Sequence, residues 1–358
     1  MGYRYIGSKT NIIREVISVI NKTVRPGGRV ADLMSGIGIV STELRRLGYR
    51  VTANDLMSQA YHMTRAKLLL QSPPLFEGLK GRIRKSNQLT LDSESRYSLL
   101  IQTMNYLEPI KGYFWREFSP DGSPQNGSVS RKYFTSENAM KIDASRLFLR
   151  ELLNDNLLTS LEESLIIHDM INAVNDIANI AGTYGHYLSK FQSRSLMPIV
   201  FKSMNFIKGG ISTGHLVYNE YAEDLASSIE ADLCYIDPPY TKRQYAANYH
   251  LLETIAKGDE PIASGKSGLR SWRDQYSNFC SKVKFGPSLE KIISNVKCDN
   301  FIISYSSEGL FSVENIKDFL TYFGTVKTVS FPNKRFKSRN ESANHEVTEY
   351  LFILKKNQ

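Results

Sequence analysis

The sequence predicts an α/β fold: a Rossmann-like parallel sheet that ends in an antiparallel hairpin and is interrupted by a mostly helical insertion. Three observations predict it. Residues 29–55 read as strand, glycine turn, helix and strand. A short apolar run, Leu233-Cys234-Tyr235-Ile236, stops at a double proline. Between these lie leucine and isoleucine stripes at helical spacing, from Leu147 to Ile180.

The first element follows Tyr5-Ile6-Gly7-Ser8-Lys9. Ile12, Ile13, Val16, Ile17 and Ile20 recur every three or four residues and predict a helix, with Ser8 or Thr10 as its cap. A glycine before a helix start leaves backbone N–H groups open to an anion. Next, Arg29 to Asp32 predicts a strand, Gly36-Ile37-Gly38 a turn, and the stretch to Leu47 a helix ended by Gly48. A second strand begins at Arg50 and finishes at Asn54-Asp55, completing a βαβ unit. The two glycines let backbone approach a ligand at a helix N-terminus, and the acid ending the second strand is placed for ribose hydroxyls. The third glycine of the dinucleotide pattern is absent, with Ser41 in its place. That favours a nucleoside ligand without a pyrophosphate.

A helix from Ser58 to Leu70 is broken by Ser72-Pro73-Pro74, and the character of the chain then changes. Lys80, Arg82, Arg84 and Lys85 cluster. Tyr113-Phe114-Trp115-Arg116-Glu117-Phe118 and Arg131-Lys132-Tyr133-Phe134 flank a polar loop, residues 119–130. Charge interleaved with aromatics beside a polar loop suits a surface that reads nucleic acid: cations for phosphates, reaching side chains for base edges. An ordinary surface hairpin has the same composition. One helix is expected over Leu147 to Leu158 and another over Leu165 to Ile180, both with core-facing stripes. His168 lies inside the second and reads as structural.

Sheet character returns at His215-Leu216-Val217-Tyr218 and again at residues 233–236. The run then meets Asp237-Pro238-Pro239-Tyr240. Two prolines fix φ and remove two backbone donors. What remains is a carboxylate, main-chain carbonyls and a flat ring: acceptors and a stacking surface for a planar group bearing an –NH2. Thr241 to His250 is dense in polar, basic and aromatic groups, and Lys257 to Tyr276 reads as a flexible basic loop. A helix from Gly286 to Val296, a strand over residues 300–305, and two C-terminal stretches forming a hairpin complete the prediction.

The chain has 358 residues, room for two domains, and no apolar run near the roughly 20 residues of a membrane helix. Met1-Gly2-Tyr3-Arg4 lacks the apolar core of a signal peptide, so a soluble, cytoplasmic protein is expected. Three scattered cysteines argue against a disulfide framework and against structural zinc, and no metal is expected. The net charge of +9 fits a polyanionic partner.

Taken in order, Tyr5-Ile6-Gly7-Ser8-Lys9, Asp32-Leu33-Met34-Ser35-Gly36-Ile37-Gly38, Asn54-Asp55 and Asp237-Pro238-Pro239-Tyr240 form a set. With it the chain resembles the Dam-type, alpha-group N6-adenine DNA methyltransferases, over roughly its first 70 and last 140 residues. The resemblance implies a class I methyltransferase sheet that uses S-adenosyl-L-methionine. It implies a catalytic domain over residues 1–74 and 206–358, and a target-recognition domain over 75–205. It implies that Asp237, Pro238, Pro239 and Tyr240 hold and stack on a flipped adenine. Tyr5, Lys9, Asp32, Gly36 and Gly38 would surround the methionine end of the cofactor, Asp55 its ribose, and one of the acids Glu220, Glu223 and Asp224, with Asp224 the one named, its adenine. Met34 departs from the aromatic usual at that position, and Tyr221 stands where an acid is usual. Double-stranded DNA is the implied partner, contacted by Arg131, Lys132, Lys242, Arg243 and Tyr245, with a cognate restriction endonuclease as a second partner. N4-cytosine or RNA N6-adenine methylation, or a non-catalytic DNA-binding subunit, remain alternatives at this stage.

Overall fold

Seven strands form one sheet in the order β3-β2-β1-β4-β5-β7-β6. They are β1 (Arg29–Asp32), β2 (Arg50–Asn54), β3 (Leu216–Tyr218), β4 (Leu233–Ile236), β5 (Asn300–Ser306), β6 (Gly324–Lys334) and β7 (Glu346–Lys356). This computed structural model describes residues 5–80, 92–126, 129–334 and 346–357. The basic residues Arg82, Arg84 and Lys85 lie outside the described residues.

β1 to β5 run parallel, and β7 is antiparallel to both β5 and β6. This is the predicted parallel sheet with its closing hairpin. β4 is buried along its whole length, as a strand covered on both faces must be, so it reads as a continuous apolar run. One face packs Val30, Val51, Leu233, Tyr235, Ile302 and Leu351 against the helices Ile13–Thr23 and Ile39–Arg46. The other packs Ala31, Cys234, Ile236, Phe301, Ile303 and Phe352 against the helices Phe285–Asn295 and Val313–Thr321. Truncating a core side chain such as Ile303 to Ala removes about 2–5 kcal/mol. The strand order reverses between β1 and β4, so their carboxyl ends frame a crevice.

The chain divides into two compact units. The sheet unit holds Tyr5–Leu69, Ile207–Tyr245 and Gln275–Gln358; the described part of the other holds Leu70–Phe206 and Ala246–Asp274. Residues 246–274, expected with the sheet, therefore belong with the helical unit. Nor are residues 257–276 simply an open basic loop. Arg270 is buried and bidentate on Asp259, at 2.9 and 2.7 Å.

The helical unit contains Ser93–Tyr106, Tyr113–Phe118, Ser136–Asn154, Ser160–Ile177 and His250–Lys257. Thr159 and Glu162 form a capping box that starts the fourth of these, which fixes its N-terminus. The stripe expected to continue to Leu158 stops sooner: Asn156 takes a positive φ of 54° and ends the preceding helix. A second expectation is corrected here. The Tyr113–Phe118 stretch is a short helix whose Tyr113, Phe114 and Phe118 are buried, and Tyr133 and Phe134 are buried with them. Their rings meet edge-on or tilted, with centroids 5.5 to 6.1 Å apart. The aromatics form a core and do not face solvent. Among the described residues, no helix is long and apolar enough to cross a membrane.

Candidate active site

Register places the chemistry. Side chains alternate faces along a strand, so parity decides which residues meet. Asp32 on β1 pairs with Tyr235 on β4, and Ala53 on β2 pairs with Asp32. Asp55, two beyond Ala53, and Asp237, two beyond Tyr235, thus fall on the same face as Asp32. On β5 and β7, Ser304 pairs with Leu351 and Ser306 with Glu349, again on that face. Asp55, Asp32, Asp237 and Glu349 therefore line the carboxyl edge of the sheet from one side.

Lys9 enters this edge from the turn Lys9–Ile12. Its Nζ lies 2.8 Å from Asp237 Oδ1 and 3.5 Å from Glu349 Oε2. Lys9 and Glu349 are buried, and Asp237 is half-buried. Burial opposes the ammonium, but Asp237, Glu349, Tyr235 and Tyr240 outweigh it, and the Lys9 pKa lies above the ordinary lysine range. Burial raises the Asp237 pKa, and Lys9 opposes the rise. Asp32 is pushed up to about 7, first by burial and then by Asp237 and Asp55, while its 2.6 Å hydrogen bond from Ser41 pulls the other way. Among the described residues, no three His, Cys, Asp or Glu side chains converge as metal ligands.

The glycine turn after β1 forms the second wall. The Gly36 N–H donates to Asp55 Oδ2 at 2.8 Å, and Met57 N–H donates to Asp55 Oδ1 at 2.9 Å. Thr64 Oγ1 donates to the Gly36 carbonyl at 3.0 Å. Gly36 and Gly38 both have positive φ, and both are closely covered. A Cβ on Gly36 would come within 2.8 Å of the Tyr5 ring, and one on Gly38 within 2.8 Å of Thr64 Oγ1. Any side chain at either position would fill the cradle or displace its wall.

These walls line a cleft that opens to solvent. The residues fit the cofactor that the resemblance implies. The acid-rich edge suits a ligand carrying a sulfonium and an ammonium, because a buried acidic site favours cations. Asp32 Oδ1 is buried with no hydrogen-bond partner, an acceptor that a ligand's ammonium would satisfy. Asp55 already holds two backbone amides, yet each carboxylate oxygen has a second lone pair for a ribose hydroxyl.

Beyond Asp237, Pro238 is buried, and Pro239 and Tyr240 are half-buried along the cleft. The Tyr240 carbonyl accepts from Leu310 N–H at 2.9 Å, which fixes the loop. Its ring stands edge-on to Tyr305, with centroids 5.9 Å apart, and Lys9 Nζ lies 5.7 Å from its centre.

Tyr5, Lys9, Asp32, Gly36, Asp55 and Asp237 all line this cleft. Gly38 stands immediately behind it at the start of the helix Ile39–Arg46. Three expectations are corrected. Asp224 points to solvent, 65% exposed, and pairs with Lys291 at 2.7 Å; its neighbour Glu223 is buried and lines the cleft instead. Arg131, expected on phosphates, is 1% exposed and bound to Glu117 at 2.9 Å and to the Gly265 carbonyl at 3.1 Å. Tyr245, expected on DNA, is half-buried in the cleft wall; its hydroxyl donates to the Ile6 carbonyl at 3.0 Å and its ring tilts against Tyr5. Lys132 is half-buried, whereas Lys242 and Arg243 are exposed.

Sequence reasoning missed Glu349 and Tyr235, and named Glu223 only as one of three neighbouring acids. The available signal was an acid just before the apolar strand 350–354, where a strand entering a core should carry none unless it is paired.

The profile of the D12 class N6 adenine-specific DNA methyltransferases matches residues 5–321. The chain is 35% identical to the Type II methyltransferase M.FokI of Planomicrobium okeanokoites, over 99% of this chain and 52% of that protein. It is 30% identical to the modification methylase StsI of Streptococcus sanguinis, over 99% and 52%. It is 31% identical to the Type II methyltransferase M.NlaIII of Neisseria lactamica, over 98% and 99%. The chain thus spans about half the length of the first two relatives and nearly all of the third.

Proposed function

The chain belongs to the D12 class N6 adenine-specific DNA methyltransferases, and from that membership and the acid-edged cleft we propose that it methylates the N6 amine of an adenine turned out of duplex DNA. S-adenosyl-L-methionine, when bound, supplies an electrophilic methyl group on a sulfonium. The observation that carries the reading is Asp237 in the cleft wall, half-buried, 2.8 Å from Lys9 and followed by Pro238, Pro239 and Tyr240 along the same cleft.

In this reading Asp32 accepts from the cofactor's ammonium and Asp55 from its ribose. Tyr5 and the Gly36 turn fix the cradle. Taking adenine out of the stack costs a few kcal/mol. Stacking on Tyr240 offsets about 1–3 kcal/mol of that. Asp237 accepts a hydrogen bond from N6–H, together with the Pro238 carbonyl. This localises the nitrogen lone pair toward the methyl group; positioning and preorganised acceptors supply the rest. After transfer, the proton on N6 leaves by way of Asp237. Exposed Lys242 and Arg243 contact phosphates. The relatives' names as modification methylases support a cognate restriction endonuclease as a partner that spares the methylated sequence.

The test is single-molecule sequencing of DNA from cells expressing this protein beside an Asp237→Ala control. N6-methyladenine at one recurrent short motif, absent in the control, is expected. DNA unmodified in both would overturn the reading.

A further inference from the structure

We infer that Glu349, at the start of β7, is a positioning residue for the reaction: it shares Lys9 with Asp237 and keeps the Asp237 carboxylate a strong acceptor for the amine. The inference rests on the methyl-transfer reading above.

The geometry is that of one cation shared by two acids. Lys9 Nζ lies 2.8 Å from Asp237 and 3.5 Å from Glu349, and Lys9 and Glu349 are each 3% exposed. An acid with so little exposure is retained at a buried position only if it is paired. Glu349 pairs across the sheet with Ser306 and Phe331, so rigid hairpin backbone sets its position. A one-residue slip of that hairpin would send its side chain to the other face. Lys9 sits in a short turn, and its ammonium is held by these two carboxylates beside the Tyr240 ring.

Charge makes the role more than mechanical. With two carboxylates on Lys9, its charge is shared between them. Without the Glu349 charge, the ammonium would act on Asp237 unopposed, and Asp237 would be a weaker acceptor. The other groups facing Asp237 are Asp32 on β1, Tyr235 on β4 and Tyr240 after it, with Ser304 on β5 as a neutral donor. Asp55 acts on Asp32 in turn, and Glu308 on Tyr240. Of the groups that act on Lys9, Glu349 is the one carried by the hairpin strand β7.

The experiment compares wild type, Glu349→Gln and Glu349→Asp. In Glu349→Gln, kcat should fall by up to about 100-fold with cofactor affinity unchanged. The acid limb of its pH profile should move about one unit lower, because a negative charge near Asp237 has gone. Glu349→Asp keeps the charge and should keep the wild-type limb. The Asp237 carboxyl is also read directly by ¹³C NMR of aspartate-labelled protein, assigned with Asp237→Asn. Its midpoint should drop in Glu349→Gln whether or not the protein methylates. A midpoint and a pH limb left at the wild-type values would overturn the inference; a purely structural Glu349 lowers Tm without moving either. Should Glu349→Gln not fold, Glu349→Asp decides, since loss of the wild-type limb there would equally overturn it. Absence of transfer by wild type would refute the functional reading instead, and the NMR midpoint would still decide the role of Glu349.

Discussion

Lys9 in the sheet unit and Arg131 in the helical unit are buried cations, 3% and 1% exposed, each paired with a carboxylate at 2.8 and 2.9 Å. Their surroundings differ. Arg131 spends its donors on Glu117 and on the carbonyls of Glu117, Ala263 and Gly265, beneath the ring of Phe118. Its acceptors come from inside the same unit. Lys9 meets two acids, Asp237 and Glu349, at the edge of a cleft that Asp237 lines. Burying an ion pair sacrifices several kcal/mol of hydration in either place. In the core the return is a fixed arrangement of loops. At the cleft it is a carboxylate fixed in the wall of the candidate site.

The largest effect expected from breaking this comparison is on stability. Arg131→Met leaves buried Glu117 with only the half-exposed Arg116, at 3.0 Å, and strips the loop carbonyls of their donor, so unfolding free energy in urea should fall by about 3 kcal/mol. A change confined to DNA affinity would return Arg131 to the surface role. Asp237→Asn tests the other pair. Its kcat should fall by about 10²–10³-fold with S-adenosylmethionine affinity unchanged by calorimetry, because the acceptor and cofactor subsites differ. Equal loss of cofactor affinity would sink that assignment.

A smaller effect comes from pH. Asp32, raised to about 7, is neutral below that value and ionised above it. A cationic ligand prefers the ionised form, so affinity for S-adenosylmethionine should fall by up to about tenfold per pH unit below 7. Asp32→Asn should flatten that dependence. For folding the sign is opposite: a raised carboxylate pKa favours the fold at low pH, and that contribution is lost as pH rises through about 7. The smallest effect sharpens the contrast with Arg131. Replacing Lys242 and Arg243 with Ala should reduce the salt slope of DNA affinity by about 0.9 per lost phosphate contact. An unchanged slope would place those contacts elsewhere.

The local signals in the chain were enough for much of this. Apolar periodicity gave the strands and the helix after Lys9, positive-φ glycines gave the turn after β1, and the proline pair gave the loop after β4. Each depends on residues a few positions apart, and so on backbone preferences that the chain carries wherever it folds. What failed needed distance or direction. Glu223 and Asp224 are neighbours in sequence, but a helical step of about 100° turns one into the cleft and the other to solvent. Tyr113, Phe114 and Phe118 share a helical face that packs on Tyr133 and Phe134, a contact that alternation with charged residues conceals. By itself, then, the sequence determined the elements, their turns and the acceptor beside the tyrosine. Only the tertiary structure decided that Glu349 meets Lys9 across 340 positions and that Arg131 is enclosed, because sheet register and core packing bring together residues whose separation along the chain carries no local signal.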